Sequence, residues 1–171
     1  MDQPLLFDAQ DLVGTQVLGR LLGRLLPPGM VIALIGPLGA GKTQLVRAIA
    51  EGLGLPDSRV VCSPTFVLIQ EYEARLPIYH FDTYRLRSPD DFFDLGVHEY
   101  FESKGVCLVE WGDRVETLLP ADHLRITIAV TGETARRFRI EGTGERSWKL
   151  VGDLAAALPA EKTGLSGRVA E

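Results

Sequence analysis

The chain has 171 residues, 46% of them hydrophobic and 24% charged, with a formal net charge of −5 at pH 7. This is the length and composition of one soluble domain that can bury a core without disulfides or metal staples, and no apolar run approaches the roughly 20 residues of a membrane-spanning helix. The negative balance argues against unspecific nucleic-acid binding, which depends on cations displacing phosphate counterions, so any RNA contact has to be local or made through a partner. The opening MDQPLLFDAQDLV has acids and no basic segment before its short apolar patch. It reads as neither a secretory nor a transit peptide, and a cytoplasmic location is expected. Cys62 and Cys107 lie outside any C-x-x-C pair and read as small core residues, while His80, His98 and His123 lack metal-ligand spacing and read as structural histidines.

After a short strand-like opening, Leu12, Leu18, Leu21, Leu22, Leu25 and Leu26 recur at helical spacing. Asp11 is placed to cap that helix, and Pro27, Pro28 and Gly29 end it. MVIALIG is a continuous apolar run, as expected of a strand buried on both faces of a parallel sheet. A glycine-rich loop follows directly. TQLVRAIAEGLGL then reads as a helix with Leu45, Ile49 and Leu53 along one side, stopped by Gly54 and Pro56. TFVLIQEYEA and LPIYHFDTYRL are strand-like and turn at Ala74 and Arg75, which makes a candidate hairpin. SPDDFFDLGVHEYF, with its Ser-Pro start and acids in the first turn, favours one or two short helices through capping and the helix dipole. The strand GVCLVEW comes next, and HLRITIAVTGETARRFRIEGTG alternates about a turn at Gly132 as a second antiparallel pair. From Pro159 onward apolar periodicity is lost, so residues 159–171 are expected to be a loose tail and 1–158 one domain. The expected fold class is α/β, a mostly parallel central sheet with antiparallel strands added and helices on both faces, which the G-x-x-x-x-G-K-T motif at residues 36–43 makes a three-layer P-loop NTPase-like fold.

Gly36, Gly39, Gly41, Lys42 and Thr43 satisfy G-x-x-x-x-G-K-[ST] between a buried strand and a helix, the context that motif requires. Glycines let successive amides curl toward phosphate oxygens, and the following helix adds its positive dipole end. Lys42 is expected to reach the outer phosphates and the Thr43 hydroxyl to ligate magnesium. A second acidic ligand is expected at the end of a neighbouring buried strand. Glu110 after VCLV is the candidate for the metal shell, and Asp82 after IYHF is the candidate for orienting water. Trp111 reads as core, or as a lid over the site or a partner surface. Ser63, Pro64 and Thr65 lie in a loop whose hydroxyls could sense the γ-phosphate. The chain contains no asparagine, so the guanine-reading Asn-Lys-x-Asp motif is absent and ATP is favoured over GTP. Arg85, Arg87, Arg136, Arg137 and Arg139 are the conspicuous basic groupings. They are fewer than the arginine-rich lid of a small-molecule kinase, which stays a rival expectation beside a nucleotide-binding module without hydrolysis.

LGAGKT, SPTFVLIQEY, YHFDTYRL and LVEWGDR, in this order, resemble the bacterial TsaE family, also called YjeE, from the leading helix to about Arg136. The resemblance implies a small, slow Mg-ATPase of the tRNA threonylcarbamoyladenosine pathway that acts with TsaB and TsaD and meets tRNA indirectly, through that complex. It implies nucleotide contacts at Gly36, Gly39, Ala40, Gly41, Lys42, Thr43 and Gln44, metal ligation at Thr43 and Glu110, and catalysis at Asp82, Glu110 and Lys42. Thr65 and Trp111 would flank the site, and Asp11, Gly132 and Arg136 would lie on its adenine side. Where the family commonly has G-D-L-G-A-G-K-T this chain has G-P-L-G-A-G-K-T, a change at the loop edge that alters no phosphate ligand.

Overall fold

The structure, a computed structural model, describes residues 2–64 and 68–159. Seven strands, β1 (Leu5–Ala9), β2 (Val31–Ile35), β3 (Ile69–Tyr72), β4 (Ile78–Asp82), β5 (Val106–Glu110), β6 (Leu124–Val130) and β7 (Arg136–Gly142), form one sheet in the order β1-β7-β6-β2-β5-β4-β3. The central run β6-β2-β5-β4 is parallel, and β3, β7 and β1 add antiparallel pairs at its two ends. Helices α1 (Leu12–Leu25), α2 (Lys42–Gly52) and α5 (Glu145–Ala157) cover one face, while the short helices α3 (Pro89–Phe93) and α4 (Val97–Phe101) cover the other. This is the expected three-layer α/β class.

The apolar run of β2 is continuous because both its faces are buried. Ile32 and Leu34 pack with Leu18, Leu22, Leu45 and Ile49 on the helical layer, while Val31 and Ala33 pack with Phe92, Phe101 and Val109 behind the sheet. In β5 the same alternation sends Val106 and Leu108 toward α2, so the next residue on that face is Glu110. Close approach of α1 to α2 depends on missing side chains: a Cβ at Gly23 would lie 2.2 Å from the Ile49 carbonyl oxygen, and one at Gly52 would lie 2.2 Å from that of Arg20. That contact fixes α2, and with it the loop at its N-terminus, against the sheet. Asp11 caps α1 as expected, accepting the Gly14 amide at 3.1 Å.

Several expectations need correction. Cys107 is buried, but Cys62 is exposed and is no core residue. Ser88 stands at the N-cap of α3 without a side-chain capping bond, so Pro89 and the acids Asp90 and Asp91 set that helix start. The strand through His80 stops at Asp82, where the chain turns, rather than running on to Leu86. Residues 65–67, including Thr65, and the tail beyond Pro159 lie outside the described residues.

Helix α5 was not anticipated, although Ser147, Leu150, Val151 and Leu154 bury one side of it at helical spacing. Its cap comes from a distant acid: Asp122 accepts the amides of Arg146 at 2.8 Å and Ser147 at 3.0 Å. Burial alone would raise the Asp122 carboxyl, but hydrogen bonds from Ser147 and from the Arg146 and Ser147 amides outweigh it and hold the group below its ordinary 3.8. A lowered carboxylate pKa stabilises the fold fully above that ordinary value, and the contribution is lost as pH falls through the folded-state pKa. Asp122→Ala is therefore expected to cost about 1 kcal/mol at neutral pH. Urea melts of the two proteins should differ at pH 7 and converge in acid.

Candidate nucleotide site

The chain leaves β2 at Ile35 and curls through residues 36–41 into α2, with Gly39 at φ 78° and Gly41 at φ 100°. Both angles are left-handed, and a Cβ at either position would meet no atom within 4 Å. These glycines serve the curl itself, not a crowded neighbour. Arg136, on β7, donates from Nε to the Ala40 carbonyl at 3.0 Å, and from its guanidinium to the carbonyls of Ala135 at 2.8 Å, Gly132 at 3.2 Å and Gly39 at 3.4 Å. Because a peptide is planar and trans, holding the Ala40 carbonyl turns the Gly41 amide the opposite way. Arg136 thus points inward to the loop, whereas Arg137 pairs with Asp8 at 2.7 Å on the outer side.

Lys42 is only 5% exposed. Its Nζ donates to the carbonyls of Gly36 at 2.7 Å and Pro37 at 2.9 Å, and lies 3.9 Å from the centre of the Trp111 ring. Burial pushes the ammonium below its ordinary 10.5, partly offset by Glu110, Asp82 and Asp113. Trp111, read from sequence as core or lid, belongs to the site. It is the one non-glycine residue with positive φ among the described residues, at 59°, and its ring sits 4.9 Å from that of Tyr84.

Parallel pairing of β4 with β5 sets Asp82 opposite Glu110, so both expected carboxylates arrive at the same sheet edge. Glu110 Oε1 accepts the Thr43 hydroxyl at 2.7 Å and faces His80 Nε2 at 2.8 Å. Asp82 accepts the Ser63 hydroxyl at 2.8 Å and the Tyr84 amide at 2.9 Å. Thr43, Glu110, Asp82, Ser63 and Tyr84 line a crevice of about 530 Å³ together with Gly39, Gly41, Gln44 and Trp111, and His80 lies buried behind Glu110. A second hollow of about 340 Å³ shares Gly41 and Gln44 with the first and adds Asp11, Thr15, Thr134 and Arg136. Gly132 reaches this region through its carbonyl, which accepts from Arg136, and is not among the residues lining the second hollow.

The donor set suits a magnesium nucleotide. Hydroxyl and carboxylate oxygens are hard ligands, two of them already lie in hydrogen-bond contact at the helix N-terminus, and the left-handed glycines Gly39 and Gly41 border the same crevice. His80 is the residue that sequence reasoning missed. The signal was its position two before Asp82, which puts it on the same face of the strand.

A phosphate-binding curl joined in this way to an acid on the adjacent strand is the plan of a P-loop NTPase-like fold, a class that binds nucleotides. Residues 9–138 match the family model for the threonylcarbamoyl adenosine biosynthesis protein TsaE, and the chain belongs to that family. It is 42% identical over 142 residues to the tRNA threonylcarbamoyladenosine biosynthesis protein TsaE of Bacillus subtilis, an alignment covering 82% of this chain and 87% of the relative. The Treponema pallidum protein of the same name is 43% identical over 122 residues, covering 71% and 89%. Among solved structures, the crystal structure of Bacillus subtilis YdiB superposes with a TM-score of 0.79 at 35% identity, covering 91% of this chain and 97% of that one.

Proposed function

We propose that this protein is a Mg-ATP-dependent ATPase that acts with TsaB and TsaD in forming threonylcarbamoyladenosine in the anticodon loop of tRNAs reading codons that begin with A. The observation that carries the reading is the 2.7 Å contact between Thr43, the hydroxyl closing the phosphate loop, and Glu110, the acid ending the adjacent strand. The names of its relatives place those proteins in threonylcarbamoyladenosine biosynthesis. No helix among the described residues is long and apolar enough to cross a membrane, and the proposed location is the cytoplasm. Residues 1–158 would form the ATPase domain.

In this reading the amides of the Gly36–Lys42 curl receive the phosphates, and Lys42 balances their outermost charge. Thr43 and Glu110 hold the magnesium ion, which supplies Lewis-acid charge when bound. Asp82, steadied by Ser63 and the Tyr84 amide, orients the attacking water. The second hollow, beside Asp11 and Arg136, takes the adenine. The bond from Ser63 to Asp82 ties a loop to the reacting end, so that loop ordering by a partner can govern turnover.

The test is phosphate release from Mg-ATP, measured alone, with purified TsaB and TsaD, and with hydroxyl acceptors. Release that is slow alone and raised by the two proteins supports the reading. A phosphorylated acceptor would make the chain a kinase, and occupancy without product would make it a binding module.

A further inference from the structure

His80 has no role in the proposed reaction, yet its ring is fully buried and touches the reacting end of the site. Along β4, Ile78, His80 and Asp82 share one face, and the parallel register sets His80 beside Leu108 and Asp82 beside Glu110. The imidazole therefore reaches diagonally across to the Glu110 carboxylate, with Nε2 2.8 Å from Oε1. That oxygen is the one that also accepts the Thr43 hydroxyl at 2.7 Å. The other ring nitrogen, Nδ1, has no hydrogen-bond partner among the described residues. A proton on Nδ1 would be an orphan donor in a buried site, so the proton belongs on Nε2, where it is donated to Glu110.

We infer that His80 is the positioning residue of the Glu110 carboxylate. Through its Nε2–H it pins Oε1 in the orientation that serves a divalent cation at Thr43. Glutamate has a long and flexible stem, and Thr43 alone could hold it only through a hydroxyl that the cation also recruits. A donor that does not itself ligate the cation keeps the carboxylate in place whether or not the cation is bound, as outer-sphere partners of metal ligands do. The bland role for a buried histidine, filling the core between β4 and α2, would need only its volume.

The inference rests on the reading of Glu110 as a metal-shell residue, and the experiment separates the two. Mn²⁺ affinity is measured by electron paramagnetic resonance on the protein saturated with a non-hydrolysable ATP analogue, for wild type, His80→Gln, His80→Asn, His80→Leu and Glu110→Gln. Affinity for the analogue without metal is measured in EDTA. The glutamine amide can place an N–H where Nε2 stood; asparagine is polar but too short to reach. His80→Leu and His80→Asn are expected to weaken Mn²⁺ binding about 10- to 100-fold. His80→Gln should stay within about threefold of wild type, and metal-free analogue affinity should be unchanged throughout. Should the leucine variant not fold, the Gln and Asn pair decides. Equal Mn²⁺ affinities for Gln and Asn, or wild-type affinity in the leucine variant, would overturn the inference. Wild-type affinity in Glu110→Gln would instead overturn the metal role of Glu110 itself.

Discussion

Glu110→Gln is expected to fold like the wild type, to bind nucleotide in the absence of metal, and to hydrolyse Mg-ATP at least about 100-fold more slowly. The fold should persist because the amide oxygen of glutamine can still accept from Thr43 and from His80, so neither donor in this buried corner is orphaned. The rate should fall because the change removes the negative charge that steadies the cation. A cation's stabilisation of developing phosphate charge is worth several kcal/mol, and each 1.4 kcal/mol of barrier is about tenfold in rate. Glu110→Ala is the less informative variant: it strips the acceptor from two buried donors at a cost of about 1–3 kcal/mol each, and so mixes stability with chemistry. Single-turnover phosphate release, with a thermal melt of each variant, separates the effects. An unchanged rate in a folded Glu110→Gln would return Glu110 to a purely structural role.

The second large effect is on binding. Lys42→Ala is expected to weaken ATP binding about 10- to 150-fold, the equivalent of a charge-assisted hydrogen bond worth about 1.5–3 kcal/mol. Its effect on stability should be small. Burial holds the Lys42 ammonium below its ordinary 10.5 despite the nearby acids, so the charged form is less favoured in the folded chain than in the unfolded one. A depressed pKa on a cation means a folding penalty that is fully present below the folded-state value and is relieved as pH rises through it toward the ordinary value. Lys42→Ala removes that penalty and also the bonds to the Gly36 and Pro37 carbonyls, two changes of opposite sign, so the melting temperature should shift little while nucleotide affinity collapses. Calorimetric titration with ATP beside a thermal melt reads both quantities, and near-normal affinity would mean that the phosphates lie elsewhere.

How much of this was legible in advance depended on how local each cause is. The phosphate loop needs only its own spacing and its flanking elements, and β2 announced itself because a strand buried on both faces loses the polar alternation of a half-exposed one. Glu110 and Asp82 were legible because each interrupts an apolar run where a parallel strand ends. That they stand opposite each other follows from pairing register, which no local pattern encodes. His80 was missed for the same reason: its role exists only across the β4–β5 pair. Helix α5 escaped because its N-terminal amides are capped by Asp122, an acid more than twenty positions earlier. Arg136 and Arg137 are neighbours of identical chemistry, and strand alternation sends one to the phosphate loop and the other to Asp8. Cys62 shows the converse error, since a small apolar residue is a weak marker of burial where no periodicity surrounds it.

The proposal that a triphosphate lies in the curl of residues 36–42, with a cation held between Thr43 and Glu110, is most directly tested by diffraction from crystals grown with Mn²⁺ and a non-hydrolysable ATP analogue. The expected result is one anomalous peak within bonding distance of Thr43 Oγ1, beside Glu110, with phosphate density against the loop amides and the base next to Asp11 and Arg136. A nucleotide bound away from the loop, or phosphates in the loop with the manganese peak remote from both Thr43 and Glu110, would contradict it.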